Sequence, residues 1–194
     1  IWNDNNNQDG IRDSYEVTLT GVIENQDEPV YENTVTLTKD KTSYTWTNLA
    51  KYNNGKEIKY TVDETKVPTG YTKLVDGTKI TNTHTPDMLT ITGKKVWDDA
   101  EDQDGKRPES ITVTLNKTVK GETTEVTRTT VTEDNEGNWT FTFTDLYAKE
   151  DGEDIIYTVD EITVDGYTKS IEDYTITNTH TPEVVSKTVT KVWT

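Results

Sequence analysis

Residues Tyr157-Thr158-Val159-Asp160-Glu161 repeat, without a change, the earlier run Tyr60-Thr61-Val62-Asp63-Glu64. Apolar and polar residues alternate in each run, the period of a strand with one buried face. Each run is followed by Gly-Tyr, at Gly70-Tyr71 and Gly166-Tyr167. The block Ile80-Thr81-Asn82-Thr83-His84-Thr85-Pro86 then returns as Ile176-Thr177-Asn178-Thr179-His180-Thr181-Pro182. Upstream, Trp2, Gln8-Asp9-Gly10 and Arg12 return as Trp97, Gln103-Asp104-Gly105 and Arg107, and Val17-Thr18-Leu19 as Val113-Thr114-Leu115. A third copy opens with Lys191-Val192-Trp193, the echo of Lys95-Val96-Trp97. The period of about 96 residues is a whole domain, well beyond the roughly 20–50 residues of a solenoid turn.

Proline and a pause in the alternation mark breaks near Thr85-Pro86-Asp87 and Thr181-Pro182-Glu183,. These breaks predict a first repeat over 1–86, a complete repeat over 87–182, and the first strand of a third over 183–194. Inside the complete repeat, alternating runs cover Leu89–Trp97, Ser110–Lys117, Glu125–Thr132, Trp139–Asp145, Ile155–Glu161 and Tyr174–Thr179. Turn residues separate them at Gln103-Asp104-Gly105, Lys120-Gly121, Asn135-Glu136-Gly137 and Asp151-Gly152,. Six or seven short strands at this spacing predict an all-β chain of tandem, Ig-like antiparallel β-sandwiches.

Composition narrows the function. The 194 residues carry a net charge of −16, which repels phosphate backbones and anionic lipid, so neither nucleic acid nor a membrane surface is an expected partner,. Cysteine is absent, so any covalent staple needs other chemistry,. No apolar run reaches the roughly 20 residues that cross a bilayer, and no charged-then-apolar leader opens the chain. The expectation is a segment whose targeting and anchoring parts lie elsewhere.

Alternation also exposes three polar residues in phase with an apolar face. Lys95 shares parity with Leu89, Ile91 and Trp97; Glu161 with Tyr157 and Val159; Asn178 with Tyr174 and Ile176. Singly, each has an ordinary reading: a lysine snorkelling at a strand end, a glutamate on an edge, an asparagine starting a turn. Their coincidence, with Glu64 and Asn82 in phase in the first repeat, favours a shared buried site. Desolvation lowers a lysine pKa and raises that of a carboxylic acid, so both groups can be neutral there. Neutral Lys95 is then a nucleophile, Asn178 its electrophile, and Glu161 the acid that polarises the amide and shuttles the proton. The product is an amide between Lys95 and Asn178, with ammonia released.

These residues resemble the B-type repeats of the collagen adhesin family of Gram-positive surface proteins. The resemblance covers essentially the whole chain and rests on Lys95-Val96-Trp97, Gln103 to Pro108, the Tyr-x-Val-x-Glu box ending at Glu161, and Ile176-Thr177-Asn178-Thr179. It implies a prealbumin-like sandwich and an intradomain lysine to asparagine bond assisted by the box glutamate. Position by position, it implies Lys95, Asn178 and Glu161 in the second repeat and Asn82 and Glu64 in the first. The first repeat departs from the pattern, since its lysine would precede Ile1. The second lacks the proline that stands at Pro68.

The resulting expectation is a non-enzymatic, extracellular stalk module of a cell-wall-anchored adhesin, without cofactor or metal, whose partner is the adjacent repeat. The alternative from another class is a sandwich that binds carbohydrate or a host protein through its loops. The stretches Asn5 to Gly10 and Ala100 to Gly105 suggest the start of a calcium loop, but Ala100 and Ile111 occupy ligand positions, so an acidic turn is expected,. His84 and His180 are read as packing residues beside the linkers. The tail over 183–194 has two open readings. Val189, Lys191 and Trp193 either join Asn82 and Glu64 of another molecule by head-to-tail strand exchange, or stay idle.

Overall fold

Short β-branched and aromatic runs between turn residues form strands, and every regular element among the described residues is a strand,. The computed structural model describes residues 1–193. Its contacts divide into unit 1, Ile1–Asp87 with Tyr147–Asp154, and unit 2, Met88–Leu146 with Ile155–Thr194.

Unit 1 contains β1 (Trp2–Asn3), β2 (Tyr15–Ile23), β3 (Tyr31–Leu37), β4 (Tyr52–Asn53), β5 (Lys56–Lys66), β6 (Thr72–Asp76) and β7 (Lys79–Thr83). One sheet runs β3-β2-β5-β4 and the other β1-β7-β6. Tyr15, Val17 and Leu37 form a buried cluster against which Trp2, Trp46, Val62 and Ile80 pack. Asn54 and Gly55, both at positive φ, close the two-residue turn between β4 and β5,.

Unit 2 contains β8 (Met88–Asp98), β9 (Ile111–Val119), β10 (Glu122–Val131) and β11 (Trp139–Tyr147). The chain then forms the hairpin β12 (Lys149–Glu150) and β13 (Glu153–Asp154), which belongs to unit 1. Its Asp151 and Gly152 N–H groups donate to the Gln8 and Asp9 carbonyls at 3.1 and 2.9 Å. Strands β14 (Ile156–Glu161), β15 (Thr168–Glu172) and β16 (Thr175–Thr179) complete unit 2. Its sheets run β11-β8-β16-β15 and β10-β9-β14. Ile111, Val113, Leu115 and Val159 of the β10-β9-β14 sheet, and Trp139, Phe141, Phe143 and Ile176 of the other, are buried and form the core between the two. Gly93 lies where β8 passes under Phe141; a Cβ there would sit 2.3 Å from the ring and 2.4 Å from the Tyr174 carbonyl oxygen.

The expectation of tandem β-sandwiches holds, with refinements. Strands β8 and β16 pair in parallel, Lys95 opposite Ile176 and Trp97 opposite Asn178. A unit whose first and last strands are parallel neighbours receives the chain at one end and releases it at the other. Strand β15 carries little apolar alternation because it is an edge paired to β16 alone. Leu89, read as inward, is 41% exposed, because pairing of β8 with β16 begins only at Lys94.

Candidate functional site: a buried lysine, acid and amide

Three polar side chains sit inside unit 2. Lys95 comes from the middle of β8, Asn178 from the adjacent β16, and Glu161 from the end of β14 in the facing sheet. Lys95 Nζ lies 3.1 Å from Glu161 Oε1, and both side chains are wholly buried. Asn178 is 1% exposed. The amine and Oε1 meet as an ion pair without hydrogen-bond geometry, and neither Glu161 Oε2 nor the carboxamide atoms of Asn178 have a hydrogen-bond partner. Leaving so many buried polar atoms unpaired is costly, and a rearranged bonding among them would relieve that cost.

Burial pushes the Lys95 amine down to about 8, against the opposing pull of Glu161. At pH 7 about a tenth of such amines are neutral, against ~1 in 3,000 for an ordinary lysine. The Trp97 ring, with its centroid 4.3 Å from Nζ, walls the amine off. Trp97 is itself packed edge-on against Trp139 and Tyr167. Lys169 donates to the Glu161 backbone carbonyl at 2.6 Å, which anchors the end of β14.

Unit 1 presents the acid and amide of the same set. Glu64 and Asn82 are 1% and 4% exposed. Asn82 Nδ2 donates to Glu64 Oε1 at 2.8 Å, while Glu64 Oε2 and Asn82 Oδ1 have no partner. Burial holds the Glu64 carboxyl above its usual range, partly offset by the Asn82 hydrogen bond. The carboxyl faces the lysine amine in unit 2 and the asparagine amide nitrogen in unit 1, two positions between which a carboxyl can carry a proton.

Beside each site a second polar network was only partly legible in the sequence. The Asp99 carboxylate receives Arg107 Nε at 2.6 Å and the Tyr167 hydroxyl at 2.9 Å. Arg107 holds its pKa down at about 2. Asp4, Arg12 and Tyr71 repeat the arrangement in unit 1. His84 bridges the Gly70 carbonyl and Asp9, and His180 bridges the Gly166 carbonyl and Asp104. The histidines, read as packing residues, therefore tie the Gln-Asp-Gly turn to the Gly-Tyr loop. The signal was present in the joint recurrence of these motifs at matched spacing. In the stretches compared with a calcium loop, Asp9 pairs with His84 and Asp102 accepts from the Lys106 and Arg107 backbone N–H groups, and no cluster of three or more metal-ligating side chains occurs among the described residues. Lys191 lies on an exposed tail that forms no strand, its amine 3.3 Å over the Trp193 ring.

The model of the Cna protein B-type domain matches this chain twice, over residues 1–83 and 91–179. The chain belongs to that family. These B-type domains are 41% identical, over 198 residues, to a collagen adhesin of Staphylococcus aureus, covering 99% of this chain and 16% of that protein. The crystal structure of two B repeat units of the S. aureus collagen-binding protein superimposes with a TM-score of 0.74 at 39% identity, over 93% of this chain and 48% of that one. A single B repeat unit of the same surface protein shares 38% identity, with a TM-score of 0.43, over 94% of this chain and 95% of that one. The B-type chain thus spans about half the two-unit structure and a small part of the adhesin, and the matched proteins are adhesins rather than enzymes.

Proposed function

We propose that this chain is a run of stalk repeats from a bacterial surface adhesin, each stiffened by a self-formed lysine to asparagine bond. The repeats are 1–86 and 87–182, with 183–194 opening a third. They project a separate binding region from the Gram-positive cell wall, outside the cell, and the principal partner of each is the neighbouring repeat. The tail over 183–194 also offers a strand to another copy.

The observation that carries this reading is the burial of Lys95, Glu161 and Asn178 together, the amine against the carboxyl and the carboxamide without a hydrogen-bond partner, where the first strand of unit 2 meets the last. The neutral amine of Lys95 attacks Cγ of Asn178. Glu161 takes a proton from Nζ and returns one to Nδ2; the C–Nδ2 bond breaks and ammonia leaves. Holding the amine against the amide supplies the large effective molarity that so inert an electrophile needs. The bond joins β8 to β16, the strands by which the chain enters and leaves the unit. Tension along the chain then passes through a covalent link instead of shearing the parallel ladder.

Intact mass of the purified chain tests this, since each bond removes one ammonia, roughly 17 Da. Tryptic mapping should give a branched peptide joining Lys95 to Asn178. Recovery of both residues in linear peptides overturns the proposal.

A further inference from the structure

Glu161 lies on an open edge of unit 2. In the sheet β10-β9-β14, strand β14 has a neighbour on one side only. At its end Ile162 reaches back to β9, its N–H donating to the Thr112 carbonyl at 3.0 Å. Successive residues of a ladder point their backbone groups to opposite sides, so those of Glu161 face away from β9, where no strand pairs. Side chains satisfy both. Asp160 accepts from the Glu161 N–H at 2.8 Å. Lys169 Nζ donates to the Glu161 carbonyl at 2.6 Å and to the same Asp160 oxygen.

Lys169 belongs to β15, the edge of the other sheet, where it stands opposite Asn178 of β16. Its side chain therefore bridges the open edges of the two sheets, from beside the amide to the backbone that carries the acid. Unit 1 repeats the bridge. Lys73, opposite Asn82, donates to Asp63 and, at 2.6 Å, to the Glu64 carbonyl, while Asp63 accepts from the Glu64 N–H at 2.9 Å. The lysines close the recurring Gly-Tyr-Thr-Lys of Gly70–Lys73 and Gly166–Lys169. A lysine on an edge strand commonly serves to repel other chains, which requires its charge to stand in solvent. Here the amine is turned onto the backbone of Glu161, and the side chain is only 29% exposed.

The bridge also sets the charge around the buried amine. Burial does most to keep Lys95 neutral, and the positive charge of Lys169 acts in the same direction, against Glu161 and Asp99,. Strand β14 adds Tyr157 as a further titratable group on its inward face, and the buried side chains of β9 and β11 carry no charge.

We propose that Lys169 is a positioning residue for the bond between Lys95 and Asn178. It fixes the backbone from which Glu161 meets the amine, and it holds a positive charge beside an amine that must react without its proton. Lys73 holds Glu64 in the same way in unit 1. The proposal rests on the lysine to asparagine reading above. Lys169 takes no part in bond making: the new C–N bond forms at Lys95 Nζ, the C–Nδ2 bond of Asn178 breaks, and the proton passes through Glu161 to the departing ammonia.

The test follows bond formation in the full chain made by cell-free translation. A brief labelled pulse is chased in buffers from about pH 6 to 9, which span the titration of the amine. Samples are boiled at intervals, and intact mass gives the fraction that has lost one ammonia, with Lys95→Ala setting the zero. In the parent the rate should rise with pH as the amine loses its proton. Lys169→Met should move the midpoint of that rise to higher pH. At pH 7 it should slow the reaction at least about threefold, the loss of neutral amine produced by a rise of about half a pH unit in the midpoint. Lys169→Arg should keep the parental midpoint. Lys169→Gln, polar and uncharged, should shift it as methionine does, and it replaces the methionine variant if that one does not fold. A methionine variant with parental rate and midpoint overturns the proposal. So does a slower variant with an unchanged midpoint, the outcome of a merely structural role, and so does an arginine variant that shifts as methionine does. A parent that never loses ammonia sinks the underlying reading, and this proposal with it.

Discussion

Glu161→Gln keeps the size of the buried side chain but removes the acid that carries the proton. The variant should fold, retain its full mass, and leave Lys95 and Asn178 in linear peptides. The bond in the parent closes a loop of roughly 80 residues, and loop-closure entropy puts the stabilisation of unit 2 at about 4.5 kcal/mol at 25 °C. In a domain of about 100 residues each kcal/mol moves Tm by about 4–8 °C, so the melting transition of unit 2 should fall by at least about 20 °C. The glutamine variant also strands a buried amine beside a neutral partner, which adds to the loss. Lys95→Met separates the two effects, because it removes the bond and the amine together with little change in volume. Differential scanning calorimetry of the full chain, with intact mass on the same samples, makes the measurement. A glutamine variant that still loses ammonia would remove Glu161 from the reaction. Loss of the bond with a shift of only a few degrees would refute the loop-closure reasoning.

Two further outcomes follow from packing and charge. Gly93→Val should destabilise unit 2 by about 1–3 kcal/mol in urea unfolding, because the added atoms meet a backbone carbonyl as well as the Phe141 ring,; an unchanged midpoint would show that β8 shifts freely. Asp99 titrates at about 2 when folded, below its ordinary value of 3.8, because of Arg107. Its contribution is therefore complete above about pH 4 and lost as pH falls towards 2, worth about 2 kcal/mol in all. Asp99→Asn should flatten that part of the acid-unfolding profile, and a profile identical to the parent would remove the pair from acid stability.

The repeat, the all-β class and the inward phase of Lys95, Glu161 and Asn178 were legible in the sequence, because strand periodicity assigns faces residue by residue and a duplicated chain reports each assignment twice. Glu161 and Val159 alternate with exposed neighbours as their parity requires. What periodicity cannot convey is which strands are neighbours. That β8 lies parallel to β16, bringing Lys95 beside the Asn178 strand, depends on how two sheets close over one core. The edge strand β15 was missed because its one partner leaves it mostly in solvent, where no apolar pattern is required. The Asp99, Arg107 and Tyr167 cluster was likewise only a set of recurring letters until the fold brought together residues more than sixty positions apart. Sequence determined the faces, through a local period of two; tertiary structure decided the partners, because pairing is set by long-range packing that no local pattern encodes.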